Sequence, residues 1–343
     1  MIRASIGLLV ASLAVAAPAQ RYSVTDLGDV GQELMGAYAV NSAGQVVGAM
    51  SFDSNGDHFA FLWTRSGGMR LIVNVNSAAN AINEQGQVAG EANFGPTEDA
   101  FRWTAAGGAQ DLGNLGGGAA GRSVNAAGYV VGGSFLSGFG EHPFVWTPTN
   151  GMQDLGGPDA FATAIGCNDP GAVCGVSIGP SGSNAFVWTS ADGFRALTSL
   201  GGSYSAAYAI NNSGQVAGDS DLASGEQHGC FWTAAGTPVD MGVLAGNQTS
   251  WVQAMNPSGT SVGYCDDGQG NSTAFVWSMT GGMRNLNTLI PPNSGILLSA
   301  AYGISANGMI VGRGLVGTHT HAFLLTPVLN HPHPPVTHGV GGG

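Results

Sequence analysis

The chain has 343 residues, a formal charge of −12, 43% apolar residues, nine Arg, no Lys and 58 Gly. So acidic a chain with scattered Arg is a poor partner for nucleic acid or an anionic membrane surface, where clustered positive charge is needed. The apolar content excludes a disordered chain and the lack of a strict triplet excludes collagen; abundant Gly among many short apolar runs points to an all-β protein with many tight turns.

In chain order, the N-terminus reads as a secretory signal. Arg3 supplies a short positive region, Ile6 to Ala16 an apolar core too short for a comfortable membrane span, and Ala17-Pro18-Ala19 the small residues of a cleavage site, which is placed after Ala19. An uncleaved membrane anchor is the alternative. The expected organisation is a signal peptide over 1–19, one seven-repeat domain over 20–327 and a disordered His/Pro/Gly tail over 328–343. The expected location is secreted or extracytoplasmic, with no membrane span in the mature chain.

The body of the chain repeats. One marker is an aromatic strand, His58-Phe59-Ala60-Phe61-Leu62-Trp63-Thr64, with versions at Phe101-Arg102-Trp103, Phe144-Val145-Trp146, Phe186-Val187-Trp188, Cys230-Phe231-Trp232, Phe275-Val276-Trp277 and Phe323-Leu324-Leu325. The other is an Asn-x-x-Gly turn starting at Asn41, Asn83, Asn125, Asn168, Asn211 and Asn256, with Ser305 as the seventh, in steps of 42, 42, 43, 43, 45 and 49 residues. Asn or Ser at the first turn position accepts a local backbone hydrogen bond, and Gly at the fourth takes a positive φ cheaply. Each unit reads as four strands: a short one of small residues (Ala37 to Val40), a second after the turn (Gln45 to Met50), the aromatic strand, and a fourth (Met69 to Val73) that in other units carries Asp-Leu-Gly, as at Asp111 and Asp154.

Four antiparallel strands in about 42 residues is the size of a β-propeller blade. Tyr22 to Gly28 matches a fourth strand with no unit before it, and the seventh unit ends after its aromatic strand at Thr326-Pro327. The expected fold is therefore a seven-bladed propeller of four-stranded blades, closed by the N-terminal strand completing the last blade. The positions two and four before the turn residue are nearly all small, Val252 being the exception, as a crowded axis demands.

With these motifs in hand, the chain resembles the HAF-repeat family of probable extracellular bacterial repeat proteins, over roughly residues 22 to 327; His321-Ala322-Phe323 is the best-kept copy of the name-giving motif. The resemblance implies a bacterial, exported, propeller-like protein without assigned activity, and supplies no catalytic residues. Members often end in a Pro-Glu-Pro sorting signal, which the tail here lacks.

Candidate chemistry is sparse. Cys167 and Cys174 flank the turn Asn168 to Gly171, so a local disulfide is open, as is a Cys230–Cys265 contact between neighbouring repeats; small apolar core side chains are the alternative for each pair. His142, His228 and His321 share one repeat position, better suited to strand-end hydrogen bonds than to a metal cluster. Asp53 to Asp57 looks like a calcium loop but lacks its Gly and its terminal Glu. No metal or cofactor is expected. Neither a Gly-x-Ser-x-Gly elbow nor a phosphate loop is present.

The residues three before each turn vary: Tyr38, Asn80, Arg122, Ile165, Tyr208, Gln253 and Tyr302. Near an axial opening they would suit a polar ligand such as a glycan; packing between inner strands is the favoured reading. The expectation is a monomeric, exported, non-catalytic scaffold rather than an enzyme, with an unknown protein or glycan as partner. A carbohydrate-binding module using one propeller face is the alternative, and a polysaccharide-active enzyme the third.

Overall fold

The computed structural model describes residues 21–29, 36–51, 57–138, 140–157, 159–180 and 182–328. The expected signal peptide, the tail beyond Val328 and most of the calcium-like loop lie outside them. Among the described residues no helix is long and apolar enough to cross a membrane.

The fold is all-β and propeller-type. Gly36–Val40, Val46–Met50, Phe59–Thr64 and Gly68–Leu71 form one antiparallel sheet, in that order. Ser77–Ile82, Val88–Ala92, Asp99–Thr104 and Gly108–Gly113 form a second. A twelve-stranded sheet follows, from Gly116–Val124 to Pro238–Asp240; its antiparallel stretches are stitched by single parallel bridges, Glu141 to Phe161 and Ser183 to Tyr204. Thr249–Met255, Ser261–Asp266, Ser272–Ser278 and Gly282–Asn285 make another four-stranded sheet. In the last sheet, Leu297–Ile304, Ile310–Val316 and His319–Val328 are joined by the N-terminal strand Arg21–Asp29, which pairs with His319–Val328 in antiparallel register from Arg21–Val328 to Asp29–His321.

The aromatic strand sits third in its repeat because both of its faces are apolar. Phe61, Phe101, Phe144, Phe275 and Phe323 are fully buried, each contributing roughly 2–3 kcal/mol. The cores lie between sheets. Val47 and Leu62 of the first sheet pack with Ala79, Val88 and Phe101 of the second. Ala37, Val46 and Phe61 pack with Val311 and Leu324, so the first sheet also meets the last. The lengthened approach to the last sheet carries a 3-10 turn, Leu286–Thr288. Its buried Leu286 and Leu289 pack with Tyr22, whose N–H donates to the Leu289 carbonyl at 2.9 Å.

The turn Asn does more than cap its own turn. Asn83 Oδ1 accepts the N–H groups of Gln85 (3.1 Å) and Gln87 (2.9 Å), and its Nδ2 donates to the carbonyl of Asn125 in the next repeat at 2.8 Å. The same donation runs from Asn41 to Asn83, Asn125 to Asn168, Asn168 to Asn211, Asn211 to Pro257 and Asn256 to Ser305. Ser305 has no amide to give; Asn307 Nδ2 donates instead to the Ser42 carbonyl of the first repeat at 3.0 Å. A belt of side-chain amides thus ties successive sheets together.

Candidate axial binding site

Every strand that leads into an Asn-type turn carries a β-bulge at the same place. Register shifts fall between Ala37 and Ala39, Ala79 and Ala81, Gly121 and Ser123, Ala164 and Gly166, Ala207 and Ala209, Val252 and Ala254, and Ala301 and Gly303. The residues skipped are Tyr38, Asn80, Arg122, Ile165, Tyr208, Gln253 and Tyr302, the variable positions of the sequence. A bulged residue leaves the ladder and its side chain is re-aimed.

The bulge explains a Gly in each following strand. The bulged strand pushes a carbonyl against its neighbour: a Cβ on Gly48 would lie 1.9 Å from Gly36 O, on Gly90 2.0 Å from Ala78 O, and on Gly312 2.0 Å from Ala300 O. Only Gly admits that approach.

All seven bulged residues line one cavity of ≈ 230 Å³. Six of them also line an adjoining cavity of ≈ 610 Å³, together with Tyr264, Asp266, Ser272 and Arg313. The side chains converge on an opening, with the tyrosines half-buried and Arg122 exposed; the packing between inner strands that was the favoured expectation is present beside it, since Tyr38 and Tyr302 meet edge to face. On the far side, a ring of mostly apolar residues (Val40, Ile82, Val124, Cys167, Ile210, Met255 and Ile304) separates this cavity from a ≈ 260 Å³ cavity among the Asn turns.

A second set of candidate positions carries no mark in the sequence motifs. The residue after the second-strand Gly is Glu91, Asp219, Tyr264 or Arg313 in four of the repeats, and these stand beside the bulged residues. Asn80 Nδ2 donates to Glu91 Oε2 and, at 3.0 Å, to the Gly121 carbonyl. Burial pushes the Glu91 carboxyl up to about 7, with Glu98 adding to the rise and Arg122 and the Asn80 amide opposing it. Asp219 is fully buried. Its Oδ1 accepts the Val252 N–H at 2.8 Å, its Oδ2 has no partner of normal hydrogen-bond geometry, and burial holds it well above the usual carboxylate range. Tyr208, beside Asp219, shares a 3.1 Å hydroxyl contact with Tyr204. The signal that could have marked these positions is the fixed Gly followed by a residue alternating between apolar and ionisable.

Aromatic contacts fix the rest. Tyr38 and Tyr302 meet edge to face with centroids 6.0 Å apart, Arg313 lies 5.9 Å over the Tyr302 ring, and Trp251 stacks on Tyr264 at 6.3 Å. Burial pushes Tyr38 up to about 12, so its hydroxyl stays a neutral donor.

The other sequence candidates do not converge. His142, His228 and His321 each face the Asp of the neighbouring Asp-x-Gly strand: Asp154 at 3.0 Å, Asp240 at 2.8 Å and Asp26 at 2.9 Å. That is the strand-end role expected of them, and the Asp26 pair also ties down the N-terminal strand. Cys167 and Cys174 do not face one another. The register sets Cys167 against Val173 and Gly166 against Cys174, which turns the two side chains to opposite faces, and both thiols are free. Cys167 Sγ lies 3.5 Å from Ser123 Oγ. Cys230 and Cys265 are also free and belong to separate core clusters.

No family model and no curated protein matches the chain. Solved structures are similar in fold. Virginiamycin B lyase from Staphylococcus aureus aligns over 90% of this chain and 100% of its own with a TM-score of 0.57 and 11% identity. A streptogramin B lyase aligns over 90% and 98% with a TM-score of 0.54 and 10% identity. TolB from Acinetobacter baumannii aligns over 72% of this chain with a TM-score of 0.53 and 12% identity, and this chain spans 64% of its length. At such identities the similarity is one of fold, and the fold is propeller-type. The expectation that the chain is not an enzyme is corrected on the same ground: lyases are built on this frame, so regular repeats without a familiar catalytic motif do not argue against catalysis.

Proposed function

We propose that the chain is an exported propeller of seven blades, closed by its N-terminal strand, that binds a glycan or a similarly polar, ring-bearing ligand in the axial cavity. One observation carries the reading: bulges at one repeat position turn seven variable side chains into one opening. A cavity of ≈ 610 Å³ with tyrosine walls and a few amide and guanidinium groups has the size and composition of a small-molecule site. The seven-blade count is supported by the N-terminal pairing and by the amide belt from the last repeat to the first. Export and the HAF-repeat assignment rest on the sequence motifs.

The test is a glycan-array screen of the purified chain beside a Tyr302→Ala variant. Saturable binding to one sugar class, lost in the variant, supports the reading; a blank array in both sinks it.

A role as an interaction scaffold has one observation of its own. Phe135, Phe161 and Ile178 are exposed large apolar residues on neighbouring strands, with Phe161 opposite Ile178 and both Phe135 and Phe161 paired with Glu141. A Phe135→Ser, Ile178→Ser double variant that still pulls down every envelope protein captured by the parent would end that reading.

A further inference from the structure

A groove of ≈ 220 Å³ between the last two sheets adjoins the axial cavity, and Ser272 and Arg313 line both spaces. The groove lies at the end of the molecule away from the Asn turns. Its walls come from the start of Leu297–Ile304 and the end of Ile310–Val316, the strands that enter and leave the Ser305 turn.

A second bulge shapes this groove. Leu297–Ile304 has the register shift that lifts Tyr302 out of the ladder and another, between Leu298 and Ala300, that lifts out Ser299. One strand thus aims one residue into the axial cavity and another into the groove beside it. The Ser299 hydroxyl donates to the Arg313 carbonyl at 3.0 Å, so toward a ligand its oxygen is an acceptor. Next to Ser299, Leu297 stands opposite Leu315, and both side chains are exposed, at 56% and 40%. Asn271, Ser272 and Thr320 add an amide and two hydroxyls, the Asn271 amide being held by its donation to Asp267 Oδ2 at 2.7 Å. Among the described residues that line the groove Arg313 alone is charged, and its guanidinium lies over the Tyr302 ring at the junction of the two spaces.

Resting on the axial-site reading above, we propose that the ligand is a linear saccharide chain rather than a single sugar. Its leading rings lie in the axial cavity against Tyr38 and Tyr302, and the chain continues past Arg313 into the groove, where a further ring lies across Leu297 and Leu315. A sugar ring has an apolar C–H face and a rim of hydroxyls that both donate and accept. The groove offers the matching pair: an aliphatic face, and hydroxyl and amide side chains that also do both. A ligand confined to the axial cavity would leave that aliphatic pair uncovered beside it.

The experiment is an array printed with ladders of one to six hexose units in several linkages, beside an octapeptide library. It is probed in concentration series with the full chain, with Tyr302→Ala and with a Leu297→Asp, Leu315→Asp double variant. The expected result is that, within one linkage, tetramers and longer bind at least about tenfold tighter than the monomer. The double variant, changed only at exposed positions and with an unchanged melting curve, should lose that gain and bind every rung like the monomer, whereas Tyr302→Ala should weaken every rung. Monomer bound as tightly as hexamer overturns the chain and leaves the axial site standing. A gain with length that survives the double variant takes the chain elsewhere and overturns the groove. Peptides bound without any saccharide make the occupant a peptide and overturn the sugar. No binding on any spot overturns the proposal together with the reading beneath it.

Discussion

Asn83 separates the two jobs of the repeat turn, capping and stitching, because its two side-chain atoms do different things. Oδ1 accepts two backbone N–H groups of its own turn, while Nδ2 donates to the Asn125 carbonyl and to Gln87 Oε1, both at 2.8 Å. Asn83→Ala removes all four bonds from a buried site. At about 1 kcal/mol net for each bond, and more for a buried N–H left without a partner, the loss should be about 3–5 kcal/mol. Asn83→Asp keeps both acceptor bonds and loses both donors, and it sets a carboxylate against two oxygens. Its loss at pH 7 should be about 2–3 kcal/mol, and should shrink below pH ~4, where a protonated carboxyl can donate again. The Asn125 carbonyl keeps one partner, the Gly128 N–H at 3.0 Å, which is why the figure stays below that for a fully orphaned group. Guanidinium unfolding followed by Trp fluorescence reads both variants. An Asn83→Asp protein within about 0.5 kcal/mol of the parent at pH 7, with Asn83→Ala strongly destabilised, would show that the turn matters and the inter-repeat donor does not.

Deleting Tyr22 to Gly28 takes away the antiparallel partner of His319–Val328 and the buried Tyr22 ring; the melting temperature should fall by at least about 10 °C, and a change under about 2 °C would refute closure by this strand. Gly90→Ala would set a Cβ 2.0 Å from Ala78 O and 2.7 Å from Phe101 Cε1, costing more than about 3 kcal/mol; Gly95→Ala, with nothing within 4 Å, is the neutral control. Glu91 holds its proton up to about 7 in the folded chain, against 4.5 unfolded. Between those values the native state binds more protons, so stability falls as pH rises, by at most about 3 kcal/mol from this group. Glu91→Gln should flatten that part of the profile, and an unchanged slope in urea titrations between pH 5 and 7.5 would assign it elsewhere.

The frame was legible because its constraints are local and repeated. Asn41 to Gly44 and its copies announce a turn by their own hydrogen-bond chemistry, and Phe-x-Trp announces a strand buried on both faces. The unmatched Tyr22 to Gly28 foretold the pairing with His319–Val328 that the structure contains. The site was half legible: variation at Tyr38, Asn80 and Arg122 was visible, but their direction was not, since alternation assigns a side to each residue only while the ladder stays regular. The clue to the irregularity was Gly48 and its copies inside otherwise apolar strands, a position that only close backbone approach explains. The outlier Val252 also has a three-dimensional answer. Gly229 stands where other aromatic strands carry Ala60, Ala100 or Ala185, and a Cβ there would lie 2.9 Å from Val252 Cγ2. The Val252 N–H is taken by Asp219, 33 residues away. For Cys167 and Cys174 loop length alone misled, because nearness across a hairpin does not fix the face each thiol takes.

The bulge also explains how a repetitive fold can carry a site without weakening itself. Residues that hold the frame are confined by backbone contacts: Gly90 by the Ala78 carbonyl, Phe101 by the strand beneath it, Asn83 by four hydrogen bonds. Tyr38, Asn80 and Arg122, lifted out of the ladder, face an opening, so their identities change with little packing cost. The residue after each second-strand Gly is freer still in blades where it is Ala49 or Gly133, and becomes ionisable only beside a bulged partner that can receive it: Glu91 by Asn80, Arg313 by Tyr302. Asp219 departs from this economy, since it is fully buried with one oxygen short of a partner of normal hydrogen-bond geometry and desolvation opposes its charge. A group so costly to bury, placed beside Tyr208 in the ring, makes that side of the cavity a place where the frame gives up stability for the site.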